Sequence, residues 1–279
     1  MLANPQRLRL AAGVALGSIA AVAGIVAVTA RAEGALPLPP DLVPLSLDDE
    51  ELVMAGFGER TALRFSSEVT NRGVGPLEVF ASPASANCDG DGDPSNDRDA
   101  SQRLFADTNF SGVFERGADA VARERHFGCM RYHPPHDHWH VLGFALYRLR
   151  SERGGRLVAT TRKLGFCLGD NRPAFADPGA PAAQVYPAGS PDPRGCTETT
   201  IQGLSVGWAD IYRYDVPGQA FHVAGLARGR YCLIARADPD DLLDEVDEGN
   251  NVRRTRIALD PKRPSVRKLN GGCRLKSRP

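Results

Sequence analysis

Four of the chain's six histidines fall within eight residues, in the run "YHPPHDHWH" from Tyr132 to His140. On a β-strand alternate side chains share a face, so the i, i+2, i+4 spacing puts His136, His138 and His140 on one side and Asp137 and Trp139 on the other. Three neutral imidazoles on one face suit copper or zinc, and they leave a position open for water or substrate, as a catalytic metal site requires. His133, just upstream, is expected to support the ligands rather than to be one. A lone histidine is usually structural, but packing does not explain four so close together.

A second constellation is acidic. Asp89, Asp91 and Asp93 alternate with glycines, and Asp107, Asn109, Ser111 and Gly112 resemble the opening of a calcium loop, with Glu115 and Asp119 as further oxygen donors. Hard oxygen ligands on a loop favour calcium over a transition metal. Neither stretch is a full EF-hand, because Pro94 takes the glycine position in the first and no glutamate stands twelfth in the second. A solvated Asp/Gly loop is the competing reading.

The histidine run resembles the copper motif of the lysyl oxidase family, in which H-x-H-x-H follows a further histidine three residues upstream. Two more segments carry the resemblance. "KLGFCLGD" is similar to the family's lysine motif and puts Lys163 on the cofactor lysine and Cys167 on the cysteine that follows. "QGLSVGWADIY" is similar to the tyrosine motif, with Tyr212 on the cofactor tyrosine and Asp210 before it. "GRYCLIARADPDDLLDEVDEGNNV" is similar to the closing strands and their Asn-Asn pair, so the resemblance covers about the last half of the chain, in order.

The resemblance implies a copper amine oxidase that builds lysine tyrosylquinone from Lys163 and Tyr212. Such an enzyme turns a primary amine or lysyl side chain into an aldehyde, consuming O₂ and releasing hydrogen peroxide and ammonia. Asp210 is the candidate base, provided the strand alternation puts it on the side of Tyr212. By residue type alone, Lys163 reads as a solvated strand residue and Tyr212 as a half-buried wedge. The chain also departs from the family pattern. Pro135 replaces the cysteine before the first ligand histidine, with Cys129 as a substitute. "VLGFALYRL" lacks the family's extra histidine, and a Pro-rich insertion lengthens the span from Lys163 to Tyr212.

Positioning these groups falls to an all-β framework. Short β-type runs bounded by turns recur along the 279 residues, and the expected fold is a β-sandwich with long loops around a metal site and few short helices. "ALRFSSEVTN" and "PLEVFAS", joined by "RGVG", read as a hairpin; "HDHWHVLGFALYRLR" and "RLVATTRKLGFCLG" read as two strands joined by "SERGG". Residues 86–120 read as one long loop and 171–194 as a surface excursion.

The N-terminus sets the compartment. Arg7 and Arg9 precede an uncharged run from Leu10 to Ala30 and an Ala30-Arg31-Ala32 cleavage pattern, which read as an export signal over 1–32, with an uncleaved anchor as the alternative. The catalytic domain is then 33–260 and a basic tail 261–279, in a secreted or cell-surface protein that meets membrane only if the signal stays attached. Richness in Ala, Gly, Arg and Pro suits a GC-rich bacterial genome. Six cysteines allow 15 connectivities. The pairing taken is Cys88–Cys129, Cys167–Cys196 and Cys232–Cys273, each closing one distinct segment, against one or two buried free thiols. With 34 basic and 34 acidic residues, broad electrostatic capture of nucleic acid is not expected.

Two other function classes fit parts of the pattern. A non-enzymatic extracellular module could use the histidines and the acidic loop as structural metal sites. A cupin-like oxygenase also carries H-x-H, but no evenly spaced downstream glutamate and histidine are present.

Overall fold

The computed structural model describes residues 35–56, 58–134, 138–161, 165–187 and 201–275. The N-terminal segment expected to direct export, His136, Lys163 and Cys196 lie outside these residues. Among the described residues no helix is long and apolar enough to cross a membrane.

The protein is all-β. In chain order the strands are β1 (Pro37–Leu38), β2 (Leu42–Pro44), β3 (Leu52–Ala55), β4 (Ala62–Phe65), β5 (Ser67–Asn71), β6 (Leu77–Ala81), β7 (Asp97–Ala106), β8 (Ala120–His133), β9 (His138–Leu142) and β10 (Ala145–Ser151). They continue with β11 (Leu157–Thr160), β12 (Gly165–Phe166), β13 (Arg172–Pro173), β14 (Ile201–Leu204), β15 (Trp208–Tyr212), β16 (Ala220–His222), β17 (Gly229–Ala237), β18 (Val252–Asp260) and β19 (Ser265–Lys268). The described helices are two 3₁₀ turns, Asp49–Glu51 and Gly58–Arg60.

One sheet runs β12-β9-β8-β7-β6-β14, with β1 on β7; a second runs β11-β10-β17-β18-β19; smaller sheets are β13-β15-β5-β2 and β16-β4-β3. Period-2 burial explains the packing. On β10, Ala145, Tyr147 and Leu149 point inward while Arg148 is exposed, and on β18 Thr255, Ile257 and Leu259 point inward. Ala145, Tyr147, Leu149, Ile257 and Leu259 meet Phe65, Phe166 and Phe221 in one apolar core. Each Leu, Ile or Phe side chain so removed from water contributes about 1.5–3 kcal/mol.

The two strands expected on either side of "SERGG" each divide in two: β10 and β11 pair across it in the second sheet, while β9 and β12 pair in the first, with the break after β9 at the positive-φ Gly143. The first expected hairpin does not form. β5 pairs with β2 and β15, while β6 pairs with β7 and β14. Asn71 explains the crossover: its Oδ1 accepts from the amides of Asp41 and Gly73, and its Nδ2 donates to the carbonyls of Gly75 and Leu204. Gly73 and Gly75 then press on the Leu38–Asp41 backbone, where a Cβ would come within 2.5 and 2.0 Å of its atoms.

Residues 86–120 are not one loop, because β7 lies within them. Their polar composition hides the inward alternation of Ala100, Gln102 and Leu104. Gln102 is buried without penalty: its amide donates to the Asp244 carbonyl and accepts from the Asp244 N–H. The 171–194 stretch also packs down where it is described. β13 pairs with β15, and buried Tyr186 donates to Glu78 Oε2 at 2.7 Å. After Asp260, the segment expected as a tail supplies β19 to the second sheet and Cys273 to a disulfide with Cys232. Cys88 and Cys129 are bonded as expected, and Cys167 is disulfide-bonded, its expected partner lying outside the described residues.

Candidate metal and cofactor site

β8 ends where β9 begins its return, and the register sets His133 opposite His138 and Arg131 opposite His140. His138 Nε2 and His140 Nε2 lie 2.9 Å apart, and the His133 and His140 rings stack with centroids 4.9 Å apart. Alternation thus puts His138 and His140 on one face, and His133 joins them from the neighbouring strand. Trp139 turns the other way, its ring against Tyr132 and the Arg98 guanidinium. The donor set fits a copper ion. Two nitrogens 2.9 Å apart subtend about 90° at an ion about 2.05 Å from each, an angle that tetragonal copper accommodates.

The space for these rings depends on β12. Gly165 stands so close to His140 that a Cβ on it would lie 2.7 Å from His140 Cβ and 2.8 Å from Nδ1. The next two residues reach the tyrosine. Phe166 packs edge-on against Tyr212 with centroids 5.1 Å apart, and the Cys167 carbonyl accepts from the Tyr212 hydroxyl at 2.7 Å. The chain flanking Lys163 therefore touches both the histidines and the tyrosine.

Burial, then the neighbouring Asp210 carboxylate and the Tyr147 phenol, push the Tyr212 phenol well above its usual range. Asp210 is buried two residues back on β15, and its influence on the phenol places the two on the same side.

Gln202, quoted in the tyrosine motif without a role, is a buried clamp. Its Nε2 donates to the Trp139 carbonyl at 2.8 Å and its Oε1 accepts from the Leu168 N–H at 3.0 Å, tying the histidine strand to the lysine segment. Asp170, the acid of the lysine motif, binds Ser205 through both its N–H and Oγ and accepts from the Val185 and Tyr186 amides. Only the fold reveals these roles, since each joins residues distant in sequence.

The acidic segments separate. Asp89, Asp91 and Asp97 offer oxygens within 4.8 Å of one another, whereas Asp93 is committed to the Ser95 amide and hydroxyl. Asp97, fully buried at 0% exposure, has an Oδ1 with no hydrogen-bond partner. Burial first, and then Asp89, pushes its carboxyl up to about 6. The Asp107 loop closes on itself. Asp107 accepts from the Ser111 and Gly112 amides, Asp119 from those of Thr108 and Glu115, and Asn109 donates to Glu115. The two segments lie at opposite ends of ten-residue β7, about 30 Å apart at strand rise. One ion cannot join them.

A further acidic group was not singled out from sequence. Asp238, Asp241 and Glu248 have oxygens within 4.8 Å of one another; Asn251 Nδ2 donates to both Glu245 and Glu248. Burial pushes Glu245 up to about 8 and Glu248 up to about 7, helped by the neighbouring acids. Its pattern, spread over "ADPDDLLDEVDEGNN", looks like an ordinary acidic turn.

Residues 108–269 match the family model described as lysyl oxidase. Lysyl oxidase homolog 4 of Mus musculus is 29% identical over 133 residues, 47% of this chain and 16% of that protein. Lysyl oxidase homolog 2 of Xenopus tropicalis is 29% identical over 130 residues, 46% and 15% of the two chains. Lysyl oxidase homolog 3A of Danio rerio is 28% identical over 142 residues, 50% and 17%. The matched part thus spans about a sixth of these relatives' length.

Proposed function

Since this chain belongs to the lysyl oxidase family, we propose that it is a copper-dependent amine oxidase that oxidatively deaminates lysyl side chains or other primary amines. The observation that carries the reading is the β12 segment, which abuts His140 through Gly165 and holds the Tyr212 hydroxyl through the Cys167 carbonyl. It is the stretch that immediately follows Lys163.

His136, His138 and His140 hold the copper in this reading, with His133 stacked on His140. When bound, copper supplies the redox chemistry and O₂ activation by which Tyr212 is oxidised and joined to the Lys163 amine as lysine tyrosylquinone. The Cys167 carbonyl orients the phenol. Asp210 takes the proton from the carbon next to the substrate nitrogen, a task suited to a buried carboxylate beside the ring. The overall reaction converts amine, O₂ and water to aldehyde, ammonia and hydrogen peroxide.

The same reading makes the chain beyond the signal at 1–32, β19 and Cys273 included, an exported catalytic domain, consistent with its disulfides. Calcium at Asp89, Asp91 and Asp97, or in the Asp107–Asp119 loop, serves structure in it. The test is peroxide release from copper-loaded protein given a primary amine, with copper content measured alongside. Loss of both copper and peroxide in His140→Ala supports the reading. Peroxide release that is undiminished in copper-free His140→Ala contradicts it.

A further inference from the structure

One cleft in the described structure is unlike the histidine and tyrosine groups in its chemistry. It encloses about 920 Å³ on the solvent face of β10, β17 and β18, closed at one side by the β10–β11 turn. Six arginines line it: Arg148, Arg150, Arg153, Arg156, Arg236 and Arg254. Among the described residues, no carboxylate and no aromatic residue does so. In a chain of zero formal net charge, this is a concentration of one sign.

The sheet register explains how the arginines gather. Arg148 faces Ile234, which faces Arg254; Leu146 faces Arg236, which faces Val252. Residues opposite one another share a face, so guanidiniums alternate with aliphatic side chains across three strands. Leu146, Ile234 and Val252 are half-buried and form the floor, while Arg148, Arg236 and Arg254 are exposed above it. Among the described residues none of the six arginines is in an ion pair, in contrast to Arg256 on the same face, which holds Glu152 through two nitrogens. Clustering this much like charge with no ion pair among the described residues costs stability, and a bound anion would offset the cost.

We propose that this cleft binds an extended acidic segment of a partner polypeptide. Guanidinium forks match carboxylates bidentately. Arg148 and Arg150, two residues apart on one strand, repeat at about 6.7 Å, the spacing of alternate side chains on an extended peptide. The aliphatic floor favours an occupant that brings apolar groups with its anions, as a peptide does. A nucleic acid strand would leave its bases without the aromatic stacking platforms that such sites use. The cationic lining also disfavours a lysyl side chain, so the cleft is a docking site separate from the amine site. This inference stands whether or not the oxidase reading does.

The experiment is fluorescence anisotropy with a labelled peptide of alternating Glu and Leu, against a Gln/Leu peptide, a heparin fragment and an oligothymidylate. Wild-type protein is expected to bind the Glu/Leu peptide most tightly, with affinity falling as salt rises. Arg148→Gln with Arg254→Gln should weaken binding about tenfold or more, and because both residues are exposed, circular dichroism should be unchanged. Should that variant lose its fold, each single substitution and the salt titration of the wild type decide. No binding of the Glu/Leu peptide, equal binding of the Gln/Leu peptide, tighter binding of heparin or oligothymidylate, or affinity indifferent to the substitutions overturns the proposal.

Discussion

The hydroxyl of Tyr212 donates to the carbonyl of Cys167 across 2.7 Å, joining the strand of the tyrosine motif to the segment of the lysine motif. Tyr212→Phe removes that bond and keeps the ring against Phe166. A net loss of about 1 kcal/mol in folding stability is expected, measured by urea unfolding, together with complete loss of peroxide release.

Gln202 holds two backbone groups at once, one on the histidine strand and one in the lysine segment. Gln202→Ala leaves both to find new partners, and a buried donor or acceptor without one costs about 1–3 kcal/mol. The variant should be destabilised by about 2 kcal/mol or more, and should retain less copper on dialysis than the wild type. Copper retention equal to wild type would show that the clamp serves the fold alone.

Gly165 faces His140 with no room for a Cβ. Gly165→Ala should therefore displace the imidazole and lower copper affinity at least about tenfold. The apolar core is unchanged, so far-ultraviolet circular dichroism should match wild type. Isothermal titration with copper checks this.

Much of this site was legible because its signals are local. The spacing of His138 and His140 fixes their common face once a strand is assumed, and β9 provides it. The motif resemblance around Cys167 implies a chain near Tyr212, and the Cys167 carbonyl lies 2.7 Å from the Tyr212 hydroxyl, while Lys163 is outside the described residues. Other features are not local. "RGVG" signals a chain reversal, yet which strands pair depends on Asn71 reaching Asp41 and Leu204, residues far away in sequence. In the sequence Asp97 is one more acid in an Asp-rich stretch, and only β7 buries it beside Asp89. The arginines of β10, β17 and β18 are far apart in sequence, and only the register aligns them.

The Glu245 and Glu248 group gives a pH dependence. Both folded-state carboxyls are raised, to about 8 and about 7, from the ordinary glutamate value of about 4.5. The folded protein then binds more protons than the unfolded chain between about 4.5 and 8, so stability falls as pH rises through that window. In a chelator, the melting temperature should drop from pH 5 to pH 8. Added calcium should restore more of it at pH 8, where the carboxylates are charged and free to bind. A flat pH response in chelator contradicts the assignment.

Peptide mapping by mass spectrometry of protein matured with copper and O₂ tests whether Lys163 and Tyr212 form one redox cofactor beside a histidine-bound copper. A covalently joined pair of peptides containing Lys163 and Tyr212 is expected, with visible quinone absorbance, both absent from Lys163→Ala and Tyr212→Phe. Unmodified Lys163 and Tyr212 in copper-loaded, aerated protein would contradict it and leave a metal-binding β-sandwich without oxidase chemistry.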